Sequence, residues 1–148
     1  MKAVVQRVEE SFVKVNDRVV GRIGKGLNIL LGVKKGDSEE DIEKLVRKIV
    51  NLRIFEDESG KFQHSLLDIG GEALVVSQFT LYANVKKGRR PSFELAEEPA
   101  RAEELYNRFV ERLRREGVRV ETGIFGAMMD VFIRNWGPVT IIVDSEEI

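Results

Sequence analysis

Hydrophobic and polar residues alternate through the first quarter of the chain. The alternation covers residues 2–8 and 11–15, and a period of two is typical of half-buried strands. Residues 16–17 read as a turn, and the run 18–23 predicts the returning strand of a hairpin. The segment 27–33 is apolar enough to predict a strand that is covered on both faces. We therefore expect an N-terminal quarter built from β-strands.

Two later segments have the periodicity of amphipathic helices. The first follows Ser38, and Asp41 stands three residues later in a capping-box-like arrangement. The second begins near Pro99, carries an apolar stripe over residues 102–113 and ends at Gly117. The apolar residues that recur on one face of the first helix are Ile42, Leu45, Val46, Ile49 and Val50.

The remaining segments predict a turn and further strands. Residues 57–60 form the turn, and an aliphatic strand is expected to run over residues 73–80. The other strand candidates are residues 118–121, 129–134 and 139–143. This order of elements predicts an α+β fold, in which two helices cover a curled, barrel-like and mainly antiparallel sheet. We expect one domain over residues 1–148.

Composition and charge narrow the chemistry. The 148 residues include 24 Lys+Arg and 25 Asp+Glu, so a net charge of -1 argues against a protein that coats nucleic acid, DNA included, or an anionic membrane through global charge. The chain has no cysteine, which excludes thiolate chemistry. We interpret the single histidine, His64, as an ordinary polar residue near a loop. No apolar run suits a signal peptide or membrane helix. We therefore expect a cytoplasmic protein that needs no metal or other cofactor.

A polar segment, Ser-Gln-Phe-Thr-Leu-Tyr, follows the aliphatic strand at residues 77–82. If the strand continues, its even-numbered residues point to one face and its odd-numbered residues to the other. Thr80 alone carries little information, because threonine favours strands on steric grounds. Ser77 and Gln78 stand beside a buried run and need hydrogen-bonding partners, and a strand end commonly meets a ligand. This segment is therefore a candidate binding site.

A basic loop follows at residues 86–90, with four positive charges in five residues and no acidic residue anywhere in 73–93. Its cations are Lys86, Lys87, Arg89 and Arg90. Two interpretations stand side by side, an ordinary solvated loop and a contact with an RNA phosphate backbone. Tyr82 and Phe93 flank the loop and offer aromatic faces on which bases could stack.

The third candidate is Gly137-Pro138, which precedes a final predicted strand. A Gly-Pro turn before a strand is common, and an X-Pro bond is also the realistic place for a cis peptide. Together, these segments resemble the D-aminoacyl-tRNA deacylase family, also called the D-tyrosyl-tRNA deacylase family. The fragments that carry the resemblance, in order along the chain, are residues 4–8, 51–55, 77–82, 90–93, 121–127 and 137–140.

The resemblance implies a homodimer that hydrolyses the ester between a D-amino acid and the 3′ adenosine of tRNA, with glycyl-tRNA as a further substrate to consider. It implies that Gly137-Pro138, with a cis bond, enters the site of the other subunit and checks chirality. Arg7 then braces this Gly-Pro element. The residues that line the adenosine, the amino acid and the ester are Ser77, Gln78, Phe79, Thr80, Leu81, Phe125 and Met129.

The implied chemistry does not need a histidine, because an aminoacyl ester is already activated. No residue in the sequence is placed to deprotonate Thr80, so we expect it to orient the substrate rather than attack it, while the tRNA 2′-hydroxyl assists a water. Amides near Phe79 and Thr80 are the expected oxyanion donors. The chain departs from the family pattern at Met128 and Trp136. The alternatives are a non-catalytic RNA-binding domain that uses the 86–90 loop and a dimeric small-molecule binder related by fold alone.

Overall fold

The computed structural model describes residues 1–148 and contains eight strands and three α-helices. The strands are β1 (Lys2–Val15), β2 (Arg18–Ile23), β3 (Gly26–Gly32), β4 (Phe55–Glu56), β5 (Phe62–His64), β6 (Glu72–Ser77), β7 (Arg119–Thr122) and β8 (Asp130–Asp144). The helices are α1 (Glu39–Asn51), α2 (Leu66–Ile69) and α3 (Pro99–Arg115), with short 3-10 turns at Phe79–Tyr82 and Ser145–Glu147.

Six strands form one curled, nearly closed sheet in the order β2-β1-β3-β6-β7, and β8 also pairs with β1. The pairs that β1 makes with β2, β3 and β8 are antiparallel, whereas β3–β6 and β6–β7 are parallel. The separate β4–β5 hairpin turns at residues 57–60, as its sequence predicts. The predicted α+β class and barrel-like sheet are confirmed, with two parallel pairs and the short helix α2 as additions.

The two long helices cover one face of the sheet. The apolar stripes of α1 and α3 pack on alternate residues of β1, β3 and β6, such as Val5, Ile29 and Val75, all fully buried. A smaller apolar group fills the other face around Val8 and Leu74. None of the helices is long and apolar enough to cross a membrane.

The helix ends follow the sequence signals. The backbone N–H of Ser38 donates to Asp41 at 2.8 Å, which is one half of the predicted capping box before α1. Pro99 opens α3 at its first turn, and the Glu98 carboxylate accepts from the amide of Arg101 at 2.7 Å. After α3, Gly117 adopts a φ of +91°, which favours glycine.

Three predicted strands had wrong boundaries. The predicted strands 129–134 and 139–143 form one strand, β8, because pairing with β1 resumes after register shifts near Val8. The expected strand over 73–80 ends at Ser77, so the expected alternation of faces in 77–82 does not occur. The chain turns instead into a 3-10 helix that folds back over Gly32, where a Cβ would lie 3.1 Å from the Gln78 carbonyl oxygen.

The seam between β2 and β7 depends on Gly21. A Cβ built on Gly21 would lie 2.3 Å from the carbonyl oxygen of Thr122, a backbone atom that cannot move freely. We expect Gly21→Ala to lower the free energy of unfolding by roughly 1–3 kcal/mol, since overpacking must shift the seam. Chemical denaturation measures this loss.

Gly24→Ala is the matched control, because a Cβ there meets only the Glu72 Oε1 atom at an ordinary 3.5 Å. We expect it to change the free energy of unfolding by less than about 0.5 kcal/mol. Equal losses for the two variants would contradict the role of the β2–β7 seam.

Candidate active site

The polar turn after β6 brings the predicted site residues 77–81 together. The Gln78 amide donates to the Leu31 carbonyl at 2.8 Å, which anchors the turn on β3. The Gln78 side-chain Nε2 donates a hydrogen bond to the Thr80 hydroxyl. Phe79 is 55% exposed and meets the Phe93 ring edge-on at a centroid distance of 5.0 Å. The turn therefore presents an aromatic face and a tethered hydroxyl to solvent.

Backbone donors are also available in this turn. Phe79 and Thr80 open a 3-10 turn, which cannot satisfy their own amide N–H groups. Neither amide donates in the loop, turn and cap hydrogen bonds of the chain. The Thr80 hydroxyl accepts from the side-chain amide of Gln78 and has no carboxylate or imidazole as a partner. The turn thus offers donors for an anionic oxygen, but no base for its hydroxyl.

Phe125 lies beside the same end of the sheet. Strands β6 and β7 are parallel, with Val75 opposite Thr122. The chain therefore leaves β7 at the same end of the sheet at which β6 continues into the polar turn. The Phe125 ring is half-buried and lies 5.7 Å from the Tyr106 ring. The Tyr106 hydroxyl donates to the Val75 carbonyl at 2.7 Å, and burial raises the pKa of Tyr106 to about 12. This tyrosine therefore stays protonated as a fixed donor at neutral pH.

Leu81 and Met129 occupy different surroundings. Leu81 is half-buried and its Cβ lies against Gly32, beneath the turn. Met129 packs against the smaller apolar group of the sheet, and its sulfur lies 2.5 Å from the position a Cβ would take on Gly123. Glycine at 123 therefore makes room for the Met129 side chain.

Arg7 forms the second cluster of predicted site residues. Its side chain is only 2% exposed although it carries a positive charge. The Nε atom donates to the Trp136 carbonyl and Nη1 donates to the Ile54 carbonyl, each at 2.8 Å. Glu56 lies 3.5 Å from Nη2, and the guanidinium stacks 4.5 Å from the Trp136 ring centre. Two backbone carbonyls, a carboxylate and an aromatic face thus compensate the buried charge.

The turn that Arg7 supports is exposed. The Gly137–Pro138 peptide bond is cis, and both residues lie at the surface. Gly137 has a φ of +128°, and a Cβ there would lie 2.9 Å from the Arg7 Nη2 atom. A residue with a side chain would therefore strain the backbone and press on the guanidinium.

The polar turn and the Gly-Pro turn lie far apart within one chain. Across the sheet, Ser77 is level with Leu31, Leu31 with Ala3, and Ala3 with Val143. The Gly-Pro turn lies in β8 opposite Arg7. Arg7 comes four residues after Ala3 in β1, which corresponds to about 13 Å along the strand. The three strand spacings from β6 to β8 add about 14 Å sideways. The two turns therefore lie at separate places on the sheet of one chain.

The basic loop stands beside the polar turn. Asn84 and Ser92 close its base through two backbone hydrogen bonds of 2.7 and 3.0 Å, and Phe93 then contacts Phe79. None of the four cations at positions 86–90 lies within 4.0 Å of a carboxylate oxygen, and all are exposed. Their charge is thus available to a ligand.

Several contacts of these clusters escaped the sequence reasoning. Ile54 contributes a backbone carbonyl, which no residue pattern reveals, and Glu56 belongs to a two-residue strand too short to predict. Phe93 was recognised as a flank of the basic loop but not as a partner of Phe79. Trp136, a departure from the family pattern, contacts Arg7, whereas Met128 is 92% exposed. No group of three His, Asp or Glu residues is arranged to hold a metal ion.

A family of known proteins matches nearly the whole chain. Residues 4–144 match the family model described as D-Tyr-tRNA(Tyr) deacylase, and the chain belongs to this family. It is 74% identical to the D-aminoacyl-tRNA deacylase of Aquifex aeolicus (strain VF5) over 148 residues, which cover 100% of both chains. It is 67% identical to that of Persephonella marina (strain DSM 14350 / EX-H1) over 146 residues, 99% of each.

Solved structures share the fold. The structure of c-Myc DNA Unwinding Element Binding Protein is 48% identical, with a TM-score of 0.91 over 97% of this chain and 98% of that one. A probable eukaryotic D-amino acid tRNA deacylase, 22% identical, superposes with a TM-score of 0.84 over 97% and 98%. The second likeness concerns the fold alone.

Arg7→Lys should destabilise the protein by about 2–3 kcal/mol, because an ammonium cannot reach both carbonyls and stack on the indole at once. Trp136 is the single tryptophan, so its fluorescence reports on this contact directly. We expect red-shifted emission in the variant as the ring gains exposure, together with a lower denaturation midpoint.

Arg22→Lys is the control, since Arg22 stacks 4.4 Å from the Phe12 ring but is exposed. It should change stability by less than about 0.5 kcal/mol and leave the emission unchanged. An unshifted Trp136 spectrum in Arg7→Lys would contradict the bracing role.

Proposed function

We propose that this chain hydrolyses the ester bond of D-aminoacyl-tRNA and releases the free D-amino acid and tRNA, with residues 1–148 acting as one deacylase domain. The observation that carries the proposal is the polar turn after β6, where amides that donate in no loop, turn or cap hydrogen bond lie beside an exposed phenylalanine and an unpaired basic loop. Membership of the deacylase family and relatives named D-aminoacyl-tRNA deacylase support the same reaction.

The surroundings of the turn suit the 3′ end of a tRNA. The exposed Phe79 ring, held by Phe93, offers a face for the terminal adenine, and Phe125 stands at the same strand ends. The cations at positions 86–90 stand a few residues before Phe93 in the sequence, and they can neutralise phosphates of the tRNA backbone. Stacking and charge together would place the aminoacyl ester above the turn.

The reaction then depends on positioning. The oxygen of a water molecule attacks the ester carbonyl carbon, and the amides of Phe79 and Thr80 donate to the carbonyl oxygen as it gains negative charge. The bond to the ribose 3′ oxygen breaks, and a proton from the attacking water passes to that oxygen with help from the neighbouring 2′-hydroxyl. Thr80, tethered by Gln78, orients these groups and does not become acylated, because it has no base partner.

A second copy of the chain would complete the site. The Gly-Pro turn and the polar turn lie at separate places on the sheet of one chain, which supports a site shared between two chains. The strand that carries the Gly-Pro turn is also exposed along its length, and its apolar residues include Ile142, 66% exposed, and Phe132. We therefore infer a homodimer in which each polar turn receives the partner's Gly-Pro turn.

Chirality would then be judged by backbone atoms. A side-chain pocket that accepts many D-amino acids must be roomy, whereas carbonyls of a braced turn can hold the α-amino group in one position. With that group fixed, an L side chain points into the turn and is excluded. Arg7 would contribute by keeping the Trp136 carbonyl and the following Gly137 in place.

The protein should clear D-tyrosyl-tRNA at least about 100-fold faster than L-tyrosyl-tRNA, which corresponds to about 2.7 kcal/mol of differential transition-state stabilisation. The assay follows the surviving ester on labelled tRNA over time. Equal rates for the two esters, or tRNA binding without hydrolysis of either, would contradict the proposal and favour a non-catalytic RNA-binding domain.

A mixing experiment tests the exchange of turns between subunits. One chain carries Gly137→Val, which deforms the Gly-Pro turn, and the other carries Gln78→Ala with Thr80→Val, which removes the tether and hydroxyl. In a heterodimer that exchanges turns, one site carries both lesions and the other carries neither. Activity should therefore return to about half that of the unmodified dimer.

Heterodimers are purified through two different affinity tags, and the residual activity of each mutant homodimer serves as the baseline. A verified heterodimer whose activity stays at that baseline would show that each subunit uses its own Gly-Pro turn.

A further inference from the structure

A second basic surface lies on α1, away from the polar turn and the basic loop. A shallow open groove of about 550 Å³ runs along the C-terminal half of the helix and the residues that follow it. Its lining residues are Lys44, Arg47, Lys48, Asn51, Leu52, Arg53 and Ile148. We call this surface the α1 groove.

The cations of the α1 groove are nearly free of ion pairs. Arg47, Lys48 and Arg53 have no carboxylate oxygen within 4.0 Å, and Lys44 reaches Glu40 only at 3.9 Å. On α3, by contrast, Arg101, Arg108, Arg112 and Arg114 all form ion pairs of 3.1 Å or less. The groove therefore concentrates positive charge, and only Lys44 among its cations forms a direct ion pair.

Nearby acids are already engaged elsewhere. Glu43 faces Arg112 of α3, with both carboxylate oxygens 3.0 Å from its Nε atom, and this pairing lowers the Glu43 pKa. Asp68 accepts from the Ser65 backbone at 2.9 Å at the start of α2, which lowers its pKa. These carboxylates stay ionised and have nearer partners outside the groove, and the charges of Arg47 and Arg53 also contribute to their lowered pKa values.

Helix stability does not require so many cations. A cation in the last turn of a helix is favourable, and Lys48 supplies it. Arg53 lies beyond the end of α1 at Asn51, and Lys44 and Arg47 lie before its last turn. Their spacing of three and four residues places Lys44, Arg47 and Lys48 on one face. The surplus charge points to a ligand.

The shape of the groove indicates an extended polyanion. Its cations are exposed and have long, flexible side chains, whereas a small-molecule site would be enclosed and would hold buried polar groups. A row of exposed Lys and Arg side chains on one face is the usual contact for a nucleic-acid backbone.

The end of the α1 groove is linked to the Gly-Pro turn through Arg7. Arg53 precedes Ile54, whose carbonyl accepts from Arg7, and Arg7 donates to the carbonyl before Gly137. We propose that the α1 groove binds the sugar-phosphate backbone of the tRNA substrate at phosphates remote from the 3′ adenosine. This inference rests on the proposed function for the identity of the polyanion. In the dimer, the tRNA would lie between the basic loop of one subunit and the α1 groove of the other.

The test compares a full tRNA with a substrate that has no remote phosphates. The groove variant combines Arg47→Gln, Lys48→Gln and Arg53→Gln, and the matched control combines Arg18→Gln, Lys35→Gln and Arg115→Gln. The control residues are also exposed and unpaired, and they lie outside the groove. Fluorescence anisotropy gives the affinity for uncharged tRNA over a series of salt concentrations, and hydrolysis is followed on D-tyrosyl-tRNA and on 3′-O-(D-tyrosyl)adenosine.

The groove variant should bind tRNA about tenfold more weakly in low salt, and the slope of log affinity against log salt should fall by roughly two to three units. Its KM for D-tyrosyl-tRNA should rise with kcat unchanged, and hydrolysis of the adenosine ester should match that of the unmodified protein. A variant with Arg47→Lys and Arg53→Lys should retain tRNA binding, because the charge is kept.

Unchanged tRNA affinity in the groove variant, or an equal loss in the control, would overturn the inference. So would an equal loss on the adenosine ester, which would mean that the groove acts through the Gly-Pro turn. A groove-dependent affinity for duplex DNA or anionic vesicles that exceeds the affinity for tRNA would also overturn it. If the unmodified protein hydrolyses neither ester but binds tRNA through the groove, the proposed function fails and the groove assignment stands.

Discussion

The buried guanidinium of Arg7 is the contact on which the arrangement of the surface elements depends. A buried charge is costly unless it is fully hydrogen-bonded, so the partners of Arg7 are constrained to stay where they are. It joins β1 to the segment after α1 through the Ile54 carbonyl and to β8 through the Trp136 carbonyl, both at 2.8 Å. One side chain thereby fixes the end of the α1 groove and the start of the Gly-Pro turn relative to each other.

The core could be predicted because burial leaves a periodic trace. The apolar positions of α1 and α3 pack as their spacing predicts, and the alternation in β1 places Val5 inside and Gln6 partly outside. The prediction failed at residues 78–82, where local residue preferences suit a strand. Tertiary contacts determine the conformation of these residues, because the turn has to pack over Gly32 and no neighbouring strand continues the hydrogen-bonded pairing of β6.

The site residues were predictable only as separate segments. Ser77–Thr80, Arg7 and Gly137-Pro138 stand out through family motifs, and the structure groups them into two clusters rather than one. The residues that contact these clusters are hard to predict from the sequence. Ile54 acts through a carbonyl that any residue could supply, and the contact of Phe93 with Phe79 depends on how the basic loop closes.

The spacing of the two clusters also constrains how a tRNA could be held. In a symmetric pair that exchanges Gly-Pro turns, each polar turn would have its own basic loop on one side. The α1 groove of the other subunit would lie on the opposite side, because Arg7 links that groove to the incoming turn. Positive charge would then flank the ester from two subunits, while the reacting atoms would meet uncharged amides. This division would let charge supply affinity for any tRNA and leave the choice between D- and L-amino acids to rigid backbone.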